Sequence, residues 1–522
     1  MKKFILTVVD TSGIQNYVFG TNSLQQNVGA SYLVDCATRQ WAVAAIPCSH
    51  NVLNLDDPKR PFDLNLQIEQ GNVEAEVVYA GGGNVVILFS SMDHALQFTR
   101  NLSGKVLKEA PGLKIVVVHK EFNWDADALG GKTGIQQTAM RDLAKKKNAP
   151  PVSVIQPGLA VTASCVYTGM PAVGTLDGKL ASAESIAKVK AEPEAIQRLL
   201  GFVDLKEYKT FPKNFEELGS TPGEKSYLAV AHIDGNGMGA RVESIRDKPE
   251  HLTPAGNRHY VESQRAFSLS IQAAARIALQ AVIDMMIRNV DKNTIGGVID
   301  VSNQKLPFRP IVFGGDDTTF ICDGRIGLSL ARCYIETYEQ QLLADQQPAY
   351  CRAGVSIVHS HFPFSRAYEL AESLCASAKK FIQEQATPGQ ASFSAMDWHY
   401  ATSGIVFDLK ETRKREYTVA AGELTMRPVR VTPGGTTWRT WENFERAVTE
   451  FQSGAWAGKH NKVKALRTAL RDGETAVANF LKLYPPGDLP RLTNWNGQNA
   501  WIDTRCGYFD AVEIEDFFIP LS

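Results

Sequence analysis

Cysteine pairs, long apolar runs and an excess of charge of either sign are all missing from this chain. The eight cysteines, at 36, 48, 165, 322, 333, 351, 375 and 506, are scattered, with no Cys-x-x-Cys spacing among them. That pattern excludes a disulfide framework or a zinc ribbon and fits reduced thiols in the cytoplasm. The formal net charge is −1, so no global field draws the protein onto nucleic acid or membrane, and any such binding must come from local patches. No apolar stretch reads as long enough to span a bilayer. The opening MKKFILTVVD imitates a secretory signal, but its apolar run Phe4–Val9 is short, ends at Asp10 and has no cleavage site after it. A buried first strand explains it better.

What is present is an ordinary globular composition, 44% hydrophobic and 21% charged, in 522 residues. That length predicts roughly two to four domains. The chain also repeats itself. FILTVVDTSGIQNYVF leads into a helix-like stretch, then VVYAGGGNVVILF, a helix-like segment from Asp93 to Leu107, and an apolar strand ending at His119. Later, YLAVAHIDGNGMGARV leads into a long helical stretch, then PIVFGGDDTTFIC, a second helix, and the strand CRAGVSIVH ending at His359. Asp10 falls on Asp234, Gly81-Gly82 on Gly314-Gly315, Gly83-Asn84 on Asp316-Asp317, and His119 on His359. This βαββαβ order predicts two ferredoxin-like units, each a sheet with helices on one face. Residues 122–224, with Pro150, Pro151, Pro157, Pro171 and Pro222, read as a connector without a large core of its own.

The chemistry concentrates in the second unit. Gly314-Gly315 predicts a tight hairpin that delivers Asp316 and Asp317 to the start of the returning strand. With the first and second strands as central neighbours, Asp234 at the end of the first strand faces those acids. Clustered carboxylates repel unless a divalent cation neutralises them, and hard oxygen ligands suit Mg²⁺ or Mn²⁺. Two such ions would activate an attacking hydroxyl and stabilise a leaving pyrophosphate. The loop Gly235-Asn236-Gly237-Met238-Gly239 opens toward a helix, where backbone N–H groups could cradle a triphosphate.

Asp234, Asp316 and Asp317 are thus the expected catalytic and metal-binding acids. The bland alternative is a hairpin turn, since Gly and Asp favour turns anyway. An acid at a strand end upstream, and a repeat that lacks the hairpin pair, argue against it. Lys379 flanks the apolar stripe 367, 370, 371, 374, 375 and 378 of a predicted helix and is placed to meet phosphates or to be merely solvated. His119 and His359 read as satisfied structural histidines. The run Lys145–Lys147, and a basic helical face carrying Lys459, Lys462, Lys464, Arg467 and Arg471, are candidate RNA contacts. The closing YFDAVEIEDFFIPLS reads as a final strand or a docking tail.

These residues carry a resemblance. IQNYVFGTNSLQQNVGASYLV, GGGN, CVYTGMPAV, LASAESIAKVK, IDGNGMG, FGGDD, LCASAKK, MDWHYATSG and YFDAVEIEDFF together resemble the large polymerase/cyclase subunit of type III CRISPR effector complexes, of the Csm/Cmr type. The resemblance implies an α+β fold in four parts. They are a degenerate palm (cyclase-like) domain at 1–121, a connector with a degenerate zinc-element region at 122–224, a catalytic palm at 225–400 and a mainly helical domain at 401–522. It further implies conversion of ATP, with Mg²⁺ or Mn²⁺, into cyclic oligoadenylate messengers of antiviral defence. By position, Lys379 matches a phosphate-contacting lysine, and the first palm helps to hold a second ATP. Implied partners are guide or target RNA and other effector subunits.

Two departures follow. The chain begins directly with the first palm, and none of its ten histidines precedes an Asp, which points to a reduced form without the family's HD nuclease domain. Of the family's four-cysteine zinc element only Cys165 remains, so zinc is not expected. Two further readings stay open. One is a stand-alone, cytoplasmic cyclase, open to homo-oligomerisation, that makes another cyclic nucleotide. The other is an RNA-binding scaffold subunit with a vestigial site. No membrane association is expected.

Overall fold

A computed structural model describes residues 2–149, 161–218, 226–386, 392–401, 408–484 and 488–522. Pro150, Pro151, Pro157 and Pro222 lie outside the described residues, as do residues 402–404 at the end of the MDWHYATSG motif.

Strands β1 (Lys3–Ser12), β2 (Ala75–Gly81), β3 (Asn84–Phe89) and β4 (Lys114–Asn123) form an antiparallel sheet in the order β2-β3-β1-β4. Helices α1 (Leu24–Thr38) and α2 (Met92–Glu109) supply its crossovers. In the connector, α3 (Ile135–Asn148) lays Ala139 and Leu143 on the opposite face of that sheet, against Leu6, Val8 and Val118. Helix α4 (Ala183–Phe202) packs on α1. Their approach is so close that a Cβ on Gly29 would lie 1.8 Å from the Lys188 carbonyl oxygen. Among the described residues of 122–224, these two helices bury apolar side chains in the cores of the first unit.

The second unit repeats the winding. Strands β5 (Tyr227–Gly235), β6 (Phe308–Val312), β7 (Asp317–Asp323) and β8 (Cys351–His359) are ordered β6-β7-β5-β8. The sheet is extended by β9 (Ala395–Tyr400) and β10 (Val429–Arg430). Its helices are α5 (Met238–Arg246), α6 (Asn257–Arg288), α7 (Gly327–Glu339) and α8 (Phe364–Gln385). All six residues of the apolar stripe expected on α8 are buried.

Four sequence expectations change here. The central neighbours are the first and third strands, not the first and second: β5 pairs with β7, and β6 lies at the edge. The helical crossover leaves a gap one strand wide beside β5, and the hairpin fills it with β7, antiparallel to both neighbours. Helices also cover both faces of the second sheet. Ala229, Ala231 and Ile233 share a core with α6 and α7, whereas Leu228 and Val230 share one with α8 and the first domain. The cause is β9, which adds in parallel to β8 and so needs α8 as a crossover on the remaining face.

His119 and His359 are not equivalent. Asp10 lies opposite Val116 and Asp234 opposite Arg352, so His119 corresponds to Val355. The Val-His pairs match in sequence but not in register, because β4 runs four residues past His119 to Asn123. Finally, the segment Pro254–Arg288 is long and apolar enough to cross a membrane by length and hydropathy. Yet Ala274, Ala278, Leu279, Val282, Ile283 and Met286 belong to the core of the second unit.

Beyond β9 lie α9 (Leu409–Tyr417), α10 (Trp441–Ser453), α11 (His460–Asp472), α12 (Glu474–Leu483) and α13 (Phe509–Ile514). Their core is continuous with that of the second sheet through Trp398, Trp441 and Phe444. Of the two readings of the closing motif the docking tail holds: it is helical at α13, and the residues after that helix dock on α7. There Ser329 Oγ donates to the Ile519 carbonyl at 3.0 Å, and Arg332 Nη2 to that of Leu521 at 3.0 Å.

Candidate active site

Strand β5 delivers Asp234 to a position directly opposite Asp317 of β7 on one side and Arg352 of β8 on the other. Directly opposed residues share a face of the sheet, so all three project toward α8 and the first domain. Asp316, the preceding residue, lies on the other side of the strand. Its charge is felt by Tyr334 and Tyr338 of α7, and its carbonyl accepts the Gly235 N–H at 3.0 Å.

The hairpin that brings these acids is looser than the one in the first domain. Gly82 and Gly83 alone connect β2 to β3, both with positive φ. Between β6 and β7 lie residues 313–316, of which Gly314 has φ +93° while Gly315 does not have positive φ. The two turns meet: a Cβ on Gly315 would lie 3.9 Å from the Gly82 Cα. Nearby, Phe19 of the first domain stacks on Tyr368 of α8 with centroids 3.6 Å apart, and Gln15 Nε2 donates to Glu372 Oε1 at 2.5 Å.

Burial, first of all, pushes both facing carboxyls up. Asp234 rises to about 6, with Arg352 opposing the shift and Asp317 and Asp316 adding to it. Asp317 rises to about 7, with the Asp316 and Glu372 charges adding to it. Asp316 is also raised, chiefly by burial. His232, one pleat below Asp234, lies 3.3 Å from Asp317 Oδ1 and 3.2 Å from Thr319 Oγ1 through Nδ1. Burial lowers its pKa, so it is neutral at neutral pH. Arg352 makes an ion pair with Asp234 and donates from Nη1 to the Gly235 carbonyl at 2.9 Å.

A divalent cation fits this donor set. Asp317 Oδ1 is buried and has no hydrogen-bond partner, and the oxygens of Asp234 beside it are hard donors of the kind Mg²⁺ and Mn²⁺ select. The carboxylate oxygens of Asp234, Asp316 and Asp317 do not all lie within 4.8 Å of one another, and Arg352 holds Asp234.

The glycine loop wraps the end of β5. The Asn236 N–H donates to the Tyr350 carbonyl at 2.8 Å, and Asn236 Nδ2 to Ser392 Oγ at 3.2 Å. Gly235 is tightly packed, since a Cβ there would lie 2.9 Å from that of Asp316. Gly237, with φ +72°, starts α5, whose first turn no side chain caps. The Met238 side chain is buried and packs back against Gly235, whereas a Cβ on Gly239 would meet open space. Lys379 is exposed on α8 and makes no ion pair among the described residues. It lies one turn beyond Cys375, whose Sγ donates to the Arg352 carbonyl at 3.6 Å.

Sequence reasoning missed Arg352, His232 and Glu372. Each is placed by strand register or helix packing against residues more than 50 positions away, which no local spacing encodes. The basic runs are largely engaged within the chain. Lys147 pairs with Asp10 at 2.5 Å, Lys145 with Asp142 at 3.6 Å, and Lys146 Nζ donates to the Val117 carbonyl at 3.0 Å. On α11, Arg467 and Arg471 lie over the Phe509 ring.

Neither a family model nor a curated protein sequence matches the chain. Among solved structures it is similar to the Csm1-Csm4 cassette in complex with pppApA, with TM-score 0.53 and 12% identity over 99% of this chain and 70% of that one. The apo cassette gives 0.52 and 13% over 99% and 70%. Csm1 of T. onnurineus gives 0.51 and 12% over 99% and 69%. At such identities the likeness is one of fold, and over nearly its whole length the chain has the fold of Csm1, the large subunit of type III CRISPR complexes.

Proposed function

We propose that this chain is a metal-dependent nucleotidyltransferase that joins ATP into cyclic oligoadenylate messengers in type III CRISPR antiviral defence. The observation that carries the reading is the facing pair Asp234–Asp317 in one unit, where the other unit has Asp10–Asn84 at the same register. Structures of the same fold hold AMPPNP, pppApA and pppApApA, of which the last two are what the joining of two and three adenylates yields.

Asp234 and Asp317, with Asp316 beside them, would hold Mg²⁺ or Mn²⁺ as two ions. Bound there, the ions would neutralise the triphosphate and activate the attacking hydroxyl. The uncapped N–H groups at the start of α5 would receive phosphate oxygens at a positive helix terminus, and Lys379 would add a point charge. The Gly82-Gly83 turn, pressed against Gly315, would form the far wall and leave the cleft between the domains for a second ATP. Other effector subunits of the Csm4 kind and guide or target RNA are the proposed partners, in the cytoplasm.

The test is incubation of the purified protein with each NTP and Mn²⁺ or Mg²⁺, followed by mass spectrometry. Oligoadenylates that vanish in D316A/D317A support the reading. No product, even with target RNA and partner subunits added, sinks it.

A further inference from the structure

Arg352 occupies an unusual position for a cation. It faces Asp234 across the β5–β8 ladder, its side chain is only 12% exposed, and its Nη2 contacts Asp234 Oδ2. Through Nη1 it also reaches the Gly235 carbonyl at 2.9 Å and Asn236 Oδ1 at 3.5 Å. One guanidinium thus ties the strand-end acid to the first two residues of the glycine loop. The Cys375 contact to its carbonyl fixes the backbone from which it projects.

The repeat supplies an internal control. At the matching position of the first domain, opposite Asp10, stands Val116, and Asp10 is neutralised instead by Lys147 from α3. A strand-borne cation therefore accompanies only the unit that carries the facing acids. In its present contacts Arg352 uses the same Asp234 carboxylate that a divalent ion would need. A divalent ion on this carboxylate would lie close to the guanidinium, and repulsion between the two cations would weaken the Arg352–Asp234 contact. On its other side Arg352 is paired with Ala395, so a guanidinium released from Asp234 would stand beside the loop that opens toward the α5 terminus. Its planar fork matches phosphate oxygens as well as it matches a carboxylate.

We propose that Arg352 is an exchangeable counter-ion, which occupies Asp234 in the metal-free protein and passes to a phosphate of the nucleotide when a divalent cation takes the carboxylate. The idea rests on the proposed nucleotidyl-transfer site and assigns Arg352 as a positioning residue within it. Exchange of this kind keeps the buried acid neutralised in both states and couples cation entry to phosphate capture.

Two affinities separate this from a purely structural role, and neither needs turnover. Mn²⁺ binding to nucleotide-free protein is titrated by electron paramagnetic resonance at pH 8. Binding of α,β-methylene-ATP, whose α–β bridge resists transfer, is measured by calorimetry in Mg²⁺. Arg352→Gln is expected to tighten Mn²⁺ about tenfold and to weaken the nucleotide about tenfold, opposite signs that a loss of packing would not produce. Arg352→Lys should fall between wild type and Arg352→Gln on both, and it serves as the test if the glutamine variant does not fold. Affinities that move in the same direction, or either one unchanged, overturn the proposal. Asp317→Asn is the control for the underlying site: Mn²⁺ binding that survives it refutes the metal site itself, independently of Arg352.

Discussion

Replacing Asp317 by Asn is expected to stabilise the metal-free protein at pH 8 while destroying its capacity to bind a divalent ion. The Asp317 carboxyl is raised from 3.8 to about 7 in the folded chain, first by burial and then by Asp316 and Glu372. A raised carboxyl binds its proton more tightly when folded than when unfolded, so stability falls as pH rises between about 4 and 7 and is level above that. About three pKa units correspond to roughly 4 kcal/mol at most. The side chain keeps 49% of its surface, so solvent screening reduces the expected penalty to about 1–2 kcal/mol.

Asparagine is close in shape and carries no charge, so the variant should recover that amount at pH 8 and progressively less toward pH 4. The measurement is chemical denaturation in EDTA across pH 4–8, followed by a repeat at pH 8 with saturating Mn²⁺. Mn²⁺ should stabilise wild type by mass action and leave the variant unmoved. A variant equal to or weaker than wild type at pH 8 in EDTA would refute the claim that the half-buried Asp317 carries an uncompensated charge.

Three other substitutions probe the scaffold around the site. Arg413→Ala should cost about 3–5 kcal/mol in chemical denaturation, because Arg413 holds both oxygens of the wholly buried Asp397 at 2.8 and 2.6 Å and its loss strands that charge. Gly354→Ala should destabilise by about 1–3 kcal/mol or more, since the new Cβ would lie 2.0 Å from the Ala371 carbonyl oxygen and force α8 off β8. Tyr368→Ala should cost about 3 kcal/mol and reduce turnover by removing the stack on Phe19, whereas Tyr368→Phe, which keeps the ring, should retain both within about twofold.

How much of this was legible in the sequence depends on the range of the interaction that decides each feature. The two units, their strand ends and the acids of β7 follow from local pattern: apolar runs that stop at Asp10 and Asp234, and glycines flanking a turn. Placing Asp234 beside Asp317 also succeeded, although through the wrong pair of strands. The hairpin carries the acids to whichever arm is central, and the ladder order is set by a crossover gap that no run of residues displays. The histidine equivalence failed because strand length past a motif is invisible to motif matching. Of the two readings of the tail the strand fails and the docking tail holds, because Phe509, Val512 and Ile514 bury themselves at helical spacing only in the company of Phe444 and Trp441. Lys145–Lys147 looked like an open patch because the residues that engage it, Asp10 and the Val117 carbonyl, lie on strands of the first sheet, remote in sequence.

The two units differ in charge at the matched strand end. In the first domain the three matched positions are Asp10, Asn84 and Val116, and Lys147 neutralises the single charge. In the second they are Asp234, Asp317 and Arg352, which leaves one negative charge uncompensated, since His232 is held neutral by burial. Glu372 and Asp316 add further negative potential at Asp317. The first domain therefore has neither the second acid nor the strand-borne cation, and its strand end is balanced in charge. The second retains an imbalance that costs folding stability unless protons or a divalent ion relieve it. Such imbalances concentrate at functional sites, and under the proposed function this one would be relieved by the cation that accompanies a triphosphate.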